Sequence, residues 1–422
     1  MLQYHIWTIG CQMNRSESER LGSYLEDRGY RSTDTIAEAD LIVLNGCVVR
    51  QSAENRVLNK LNDLKTLKTA RPGITLAVTG CSVNSEVDKL KKGFSYVDYF
   101  FKPGVKPPWM DEASLTSVLT KKPSPAVFVP IIQGCDNYCS YCIVPYRRGR
   151  EISRPILEIL CEVKELINRG VKEITLLGQN VDSYGHDLPS ELELADLLVE
   201  LNNIDGLARI RFLTNHPKDM SHRLIEVIAS LDKVCGQIYI PVQSGSDDIL
   251  KLMRRGYTVK QYRHLIDFIR STIPDIALST DVIVGFPSES ESQFQKTVEL
   301  LSDLKYDTVH VAAYSPRPET LSARELTDNI PLSEKKRRLA EIEHLQEKIA
   351  TVINANLFNK NVEVLVEQKK KEKWEGRTRS GKLVFFSDSS DWLGRLVHVK
   401  VVKTSPWSLQ GKLTEVNYST VS

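Results

Sequence analysis

Apolar positions in the first hundred residues alternate between short continuous runs and helical spacing. The runs YHIWTI, DLIVLN and ITLAVT read as short strands. Between the first two, the capping-box pair Ser16 and Glu19 predicts a helix with Leu21, Tyr24 and Leu25 on one face, stopping near Gly29. A second helix is predicted from about Ser52, with Val57, Leu58, Leu61 and Leu64 at helical spacing. Strands alternating with helices predict an α/β unit, an open parallel sheet with helices packed against it. Pro103, Pro107, Pro108, Pro123 and Pro125 then break the pattern and mark a boundary.

From Ala126 the alternation resumes with six strand candidates: AVFVPII, EITLLGQ, RIRFLT, QIYIPV, ALSTDVIVGF and TVHVAAYS. Helical stretches at Ile156 to Asn168, Leu192 to Leu201 and Phe294 to Leu304 lie among them. Six β/α repeats predict a (β/α)6 partial TIM barrel, with active-site residues on the loops after its strands. A long charged helix, Ser333 to Asn356, follows as a packing element and linker. Beyond it VEVLVE, KLVFFS, RLVHVKVV and GKLTEV alternate with period two and predict a small β-barrel. The expected domains are 1–120, 121–353 and 354–422.

Composition adds a compartment and a partner. The chain has 422 residues, 41% hydrophobic and 26% charged, with no apolar run near bilayer length and no signal-peptide start. A cytoplasmic protein without membrane association is expected, with a monomer as the default. Eight cysteines in the reducing cytosol point to metal rather than disulfides. The net charge of +2 divides unevenly: residues 354–422 carry +5 and the remainder −3. The basic tail suits a polyanion such as RNA. Its Lys369, Lys370, Lys371, Lys373, Arg377, Arg379 and Lys382 are interleaved with Trp374, Phe385, Phe386 and Trp392. Bases could stack on those rings while the cations meet phosphates; equally, the rings could be core and the lysines a solvated face.

The chemistry concentrates in cysteines. In GCDNYCSYCIVPYRRGRE, Cys135, Cys139 and Cys142 follow the first barrel strand with spacing C-x3-C-x2-C. Three thiolates can hold three irons of a [4Fe-4S] cube and leave the fourth open to chelate a small molecule, where ferredoxins supply four cysteines. The alternative is a zinc knuckle with Cys161 as fourth ligand, though Cys161 sits in the helical pattern ILEILCEVKELI and reads as a small core hydrophobe. Cys11, Cys47 and Cys81 each stand beside a glycine after one of the three N-terminal strands. Ligands of open α/β sheets gather at those ends, so the three could converge on a second cluster, or be three unrelated buried thiols.

The C-x3-C-x2-C loop after a first barrel strand resembles the radical S-adenosylmethionine superfamily. TIGCQMNRSESE, NGCVVRQSAEN, QGCDNYCSYCIVPYRRGRE, PVQSGS, MRRGYT, DVIVGFP and YSPRP, in that order, resemble the methylthiotransferase family over essentially the whole chain, which ends in a TRAM β-barrel. GCQMN and VVRQSAEN look most like the members that modify isopentenylated adenosine beside the tRNA anticodon, at adenosine 37. The resemblance implies two [4Fe-4S] clusters and two S-adenosylmethionine molecules. One would methylate a sulfur on the cluster of Cys11, Cys47 and Cys81. The other, at the cluster of Cys135, Cys139 and Cys142, would yield the radical that takes hydrogen from adenine C2. The implied partners are the tRNA anticodon stem-loop and an electron donor such as flavodoxin or ferredoxin.

Gly178 and Gln179, Gln243 and Ser244, and Ser279 and Asp281 are placed for S-adenosylmethionine contact, or to cap helices and satisfy loops. Arg147, Arg148 and Arg150 could steer RNA phosphates or pair with Glu151. Ser288 and Glu319 stand where the family pattern has Gly, Gly46 where it has Thr and Tyr239 where it has His. The lost glycines put the local turns in question. Competing readings are a sister enzyme acting on threonylcarbamoyl adenosine or ribosomal protein S12, and a zinc-containing RNA-binding protein without catalysis.

Overall fold

The computed structural model describes residues 1–49, 51–83, 87–103, 105, 107–109, 123–189 and 192–416; the boundary expected at 120 and the tail 417–422 lie outside them. In the N-terminal unit β1 (Gln3–Ile9), β2 (Arg31–Ser32), β3 (Leu41–Gly46), β4 (Thr75–Gly80) and β5 (Tyr99–Phe100) form one parallel sheet in the order β2-β1-β3-β4-β5. Every residue of β3 is buried, as a central parallel strand with both faces covered requires. Helix α1 (Gln12–Asp27) starts earlier than the capping-box reading placed it: Cys11 is its N-cap. Ser16 lies buried inside the helix and donates to the Phe128 carbonyl at 3.4 Å, so its hydroxyl serves packing against the next domain instead of a cap. The helix ends as expected, with Arg28 as C-cap and Gly29 at φ +84°. Helix α2 (Gln51–Ala70) buries Val57, Leu61 and Leu64; Leu58, expected on that face, is 40% exposed. A short α3 (Val87–Gly93) follows.

All six expected barrel strands form. β6 (Ala126–Pro130) is followed by a short antiparallel ribbon of β7 (Ile132–Gln133) and β8 (Ile152–Ser153), then by β9 (Glu173–Leu177), β10 (Arg209–Phe212), β11 (Gln237–Tyr239), β12 (Ala277–Val284) and β13 (Thr308–Ala313). They pair in parallel as β6-β9-β10 and β11-β12-β13, and a parallel bridge between Ile210 and Val234 carries the wall from one part to the other. Within this domain α4 (Val144–Arg148) sits in the ribbon's loop; α5 (Ile156–Asn168), α6 (Leu194–Asn202), α7 (His222–Ser230), α8 (Asp247–Leu252), α9 (Val259–Thr272) and α10 (Glu291–Leu304) come between the strands. α11 (Leu321–Glu325) and α12 (Leu332–Ala355) close it. Alternation in the strands sends Ile174, Leu176, Ile210, Phe212, Leu278 and Val282 into one core with Ile159, Leu197, Ile225 and Ile266 of the helices. Burial of each such side chain contributes about 1.5–3 kcal/mol. Cys161, read as a core hydrophobe, is instead exposed on α5.

The C-terminal unit is a closed barrel of β14 (Asn361–Lys370), β15 (Lys373–Thr378), β16 (Leu383–Phe386), β17 (Leu396–Thr404) and β18 (Leu409–Val416), in the order β14-β15-β16-β18-β17. Trp374, Phe386 and Trp392 are buried with Val364, Val384 and Val397, so these rings are core and do not offer faces to bases. This barrel docks on the amino ends of the central strands. Arg209, fully buried, donates to the Arg377 carbonyl at 2.8 Å and pairs with Glu363 at 2.8 Å. Arg211 binds Glu173 at 2.8 Å, the Thr378 carbonyl at 2.6 Å and the Arg379 carbonyl at 2.9 Å. Removing one member of such a buried network strands the others, at about 3–5 kcal/mol. Arg211→Ala is therefore expected to loosen the docked barrel by that order, read as faster amide hydrogen exchange across Arg377 to Arg379.

The two missing glycines prove structural. Ser288 and Glu319 hold φ of +65° and +80°, the left-handed region that glycine fills without strain. The Ser288 amide donates to Asn329 Oδ1 at 2.8 Å, and the Glu319 carboxylate pairs with Arg147 at 3.0 Å. These contacts hold the turns in place. At Gly46 a Cβ would lie 2.7 Å from Ser82 Oγ, so a larger residue there requires that side chain to move aside.

Candidate functional site

The loop carrying Cys135, Cys139 and Cys142 leaves β7 and returns through β8. Gly134, at φ +85°, closes it backbone to backbone: a Cβ there would stand 1.9 Å from the Arg150 carbonyl oxygen. The Gly134 amide donates to Gln179 Oε1 at 2.6 Å and the Cys135 amide to the Gly149 carbonyl at 3.2 Å. Ser140 is clamped to the end of α8, its amide donating to the Met253 carbonyl at 3.0 Å and its hydroxyl to the Leu252 carbonyl at 2.7 Å. Burial, reinforced by the neighbouring Cys139 thiol, pushes Cys142 up to about 12. Burial likewise pushes Cys135 up to about 11. Arg255 Nη1 donates to Cys139 Sγ at 3.2 Å.

The N-terminal thiols lie at the carboxyl ends of β1, β3 and β4, as the strand pattern placed them. Cys11 caps α1 and donates to Asn14 Oδ1 at 3.3 Å; Asn14 Nδ2 in turn donates to Asn45 Oδ1 at 2.7 Å. The GCQMN segment is thereby tied to the strand that delivers Cys47. The Val49 amide donates to Cys47 Sγ at 3.4 Å. Cys47 lies within electrostatic reach of both Cys11 and Cys81. Burial raises Cys81 to about 12, against the pull of Arg148.

Arg148 joins the two groups. It ends α4, six residues after Cys142, yet its Nε donates to Cys81 Sγ at 3.1 Å and its Nη1 to Glu17 at 2.6 Å. Val48, Cys81 and Ile143 pack together beside it, with Tyr146 against them. Arg317, of the YSPRP segment, reaches the QSAEN segment, donating to Gln51 Oε1 at 2.7 Å. None of the three arginines after the cluster loop pairs with Glu151: Arg147 takes Glu319, Arg148 takes Glu17 and Arg150 takes Asp136 at 3.0 Å. Among the described residues no three or more His, Cys, Asp and Glu side chains are drawn together tightly enough to hold a metal ion as they stand. Two thiol trios, each receiving amide or guanidinium donors at sulfur, have the donor chemistry of iron–sulfur clusters, whose sulfurs carry the negative charge.

The carboxyl ends of β9, β10 and β11 bring polar atoms into the barrel mouth. Asp182, pushed by burial up to about 8, accepts from Asn215 Nδ2 at 2.5 Å and the His216 amide at 3.0 Å. Burial holds His216 neutral, down to about 2; its Nδ1 accepts from the Lys218 amide at 3.2 Å, which leaves Nε2 as the N–H. That Nε2, Asn180 Oδ1, Asn215 Oδ1 and Gln243 Oε1 are buried with no partner, a set fit for a polar ligand. Of the residues placed for S-adenosylmethionine, Gly178 packs on Ile132 and Gln179 pins the cluster loop. Ser279 and Asp281 alternate with the core-facing Leu278 and Val282 on β12 and so face the barrel interior. Ser244 turns the other way: fully buried, its hydroxyl lies 3.5 Å from Thr297 Oγ1 on α10 and accepts from the Ser246 amide. Sequence reasoning missed Asp182, Asn215 and His216, and gave no role to Arg255.

The basic tail residues divide. Lys369, Lys370, Lys371 and Lys373 are exposed around the β14–β15 turn. Arg379 donates to the Val234 carbonyl at 2.8 Å and Lys382 pairs with Asp307, so both are engaged in docking and not open to RNA; Arg377 leans on Glu367 at 3.6 Å.

Residues 129–301 match the Radical SAM superfamily, residues 3–102 the Uncharacterized protein family UPF0004 and residues 359–414 the TRAM domain. A radical S-adenosylmethionine methyltransferase from Kitasatospora setae, solved with cobalamin and a [4Fe-4S] cluster, shares the fold at TM-score 0.55 and 12% identity, over 76% of this chain and 74% of that one. A tRNA-2-methylthio-N(6)-dimethylallyladenosine synthase from Dehalococcoides mccartyi is 53% identical over 98% of this chain and 99% of its own. Relatives of the same name from Roseiflexus and Thermoanaerobacter pseudethanolicus are 47% and 43% identical, over 97% and 98% of this chain and 89% and 93% of theirs. With the three domains matched in order and identity of this level from end to end, the chain belongs to the tRNA-2-methylthio-N(6)-dimethylallyladenosine synthases, a radical S-adenosylmethionine family.

Proposed function

We propose that the chain methylthiolates C2 of N6-isopentenyladenosine 37 in tRNA, with 1–120 carrying one cluster, 121–353 the radical chemistry and 354–422 the RNA contact. The observation that carries the two-centre reading is Arg148: one short helix hangs from Cys142 and ends on Cys81 and Glu17, so the two trios flank a single element. Cys135, Cys139 and Cys142 would hold the cluster that binds S-adenosylmethionine, and Cys11, Cys47 and Cys81 a second one. When bound, these groups supply one-electron chemistry able to exchange an adenine C–H bond, neither acidic nor electrophilic, for C–S.

The chain's own residues orient and shield. Gln179 and the end of α8 fix the cluster loop, and Arg148 fixes its distance from the N-terminal thiols. His216 Nε2–H, Asn180, Asn215 and Gln243 present one donor and three acceptors in the barrel mouth, enough to align S-adenosylmethionine or adenine without bulk water. Iron is bound by thiolates, and burial raises Cys81, Cys135 and Cys142 still further above neutrality than a free thiol, so cluster loading must release protons, about one from each of these, and tighten as pH rises. Proton release during anaerobic reconstitution measures this.

Of the basic tail residues singled out in the sequence, Lys370, Lys371 and Lys373 stay exposed, as does Lys369 over the Trp374 ring at 5.1 Å, and these four would meet the anticodon stem-loop phosphates. Alanine at all four should weaken tRNA binding and flatten its salt dependence by about 0.7–0.9 for each phosphate that is no longer neutralised. In this reading the chain works in the cytoplasm as a monomer, reduced by flavodoxin or ferredoxin; no described helix is long and apolar enough to cross a membrane. Purified reconstituted protein, incubated anaerobically with isopentenylated tRNA, S-adenosylmethionine, reductant and sulfide, should yield the 2-methylthio nucleoside. Turnover of threonylcarbamoylated tRNA alone would overturn the substrate.

A further inference from the structure

The MRRGYT segment brings a buried charge to the radical-loop thiols. Arg255 is 4% exposed, and its guanidinium is enclosed: Nη1 donates to Cys139 Sγ at 3.2 Å and to Tyr141 OH at 3.4 Å, Nη2 to the Pro241 carbonyl at 2.9 Å and Nε to Tyr257 OH at 3.0 Å. Every partner is neutral or a thiol. Among the described residues no carboxylate pairs with it, although burying an unpaired guanidinium is costly. Arg148 makes the contrast. It touches Cys81 Sγ, but Glu17 takes its charge with contacts at 2.6 and 3.3 Å.

The neighbourhood is built to hold Arg255 in place. Arg254 before it sits at φ +57°, a strained turn for a residue with a Cβ. Tyr257 OH, which accepts from Arg255, donates in turn to the Val242 carbonyl at 2.9 Å. The same segment's Met253 carbonyl takes the Ser140 amide, so the guanidinium and the cysteine loop move as one piece. A fixed positive charge against a ligand sulfur favours whichever state of the centre carries more negative charge.

We propose that Arg255 is the counter-charge of the cluster held by Cys135, Cys139 and Cys142 and raises its reduction potential, whereas Arg148, neutralised by Glu17, mainly positions the N-terminal trio. The inference rests on the reading that Cys139 is a cluster ligand. On one-electron reduction the cluster gains an electron from a low-potential donor, no bond forms or breaks, and the added negative charge falls beside the guanidinium. Arg255 acts through Cys139 and is a positioning residue.

The test uses the full-length chain with Cys11, Cys47 and Cys81 changed to alanine, so that a single cluster is titrated. Iron content, about four per chain for one cube, is checked first. The midpoint potential is then followed by electron paramagnetic resonance, with dithionite as reductant. Arg255→Met should cut the reduction equilibrium constant at least tenfold, about 59 mV downward for a one-electron couple. Arg255→Lys, which keeps the charge, should stay nearer the parent, and Arg148→Met should shift the midpoint less than Arg255→Met. A parent without iron would overturn the cluster reading itself. A loaded Arg255→Met protein with an unmoved midpoint would overturn only the counter-charge. If Arg255→Met fails to load, Arg255→Gln and Arg255→Lys are compared: a lower midpoint for Gln supports the proposal, equal midpoints sink it. Failure of all three to load would assign Arg255 to structure alone.

Discussion

Cys139→Ala should abolish methylthiolation, lowering product formation by at least about 10³-fold, while iron per chain falls from about eight to about four. The loss is expected to be near-total because three ligands are the minimum that holds a cube with one open iron, and no spare thiol lies on the loop. Cys161 lies outside the loop, exposed on α5. The same substitution removes the acceptor of the Arg255 contact and leaves that buried guanidinium without its thiol partner. Release of 5′-deoxyadenosine from S-adenosylmethionine should vanish together with the product. A Cys139→Ala protein that still cleaved S-adenosylmethionine would remove this loop from the chemistry.

Replacing Cys11, Cys47 and Cys81 together should separate the two halves of the reaction. Iron should again halve and the sulfur-bearing product disappear, yet reductive cleavage of S-adenosylmethionine should persist, because Gln179, α8 and the Arg148–Glu17 pair still hold the radical loop. Some loss of rate is expected even there, since Arg148 would lose Cys81 while keeping Glu17. Loss of cleavage to the level of Cys139→Ala would mean that the N-terminal trio is part of the radical centre rather than a separate one.

Much of this was legible in the chain. Six barrel strands, the parallel N-terminal strands and the terminal barrel follow from runs of apolar residues and their period, because burial on one or both faces imposes those patterns directly. Two-residue strands such as Arg31–Ser32 and Ile152–Ser153 leave no periodic trace. Ser16 with Glu19 had the form of a cap, but tertiary packing took the hydroxyl and the helix began at Cys11. The cysteines stood out through rarity and spacing, whereas the arginines that serve them did not. Arg148 and Arg255 meet their thiols across 67 and 116 residues, and a buried arginine reads in sequence like a surface one. Arg379 and Lys382 illustrate the converse, as charge that suited RNA is used between domains. The turns at Ser288 and Glu319 were marked by the residues that depart from glycine there, and positive φ at both explains the pattern.

Mass spectrometry of tRNA nucleosides from a strain lacking this chain reads sulfur insertion at C2 of isopentenyladenosine without an intermediate step. The expected profile loses 2-methylthio-N6-isopentenyladenosine and accumulates N6-isopentenyladenosine, and expression of the intact chain restores the former. An unchanged profile, or loss of the methylthio form of threonylcarbamoyl adenosine in its place, would exclude isopentenyladenosine as the substrate.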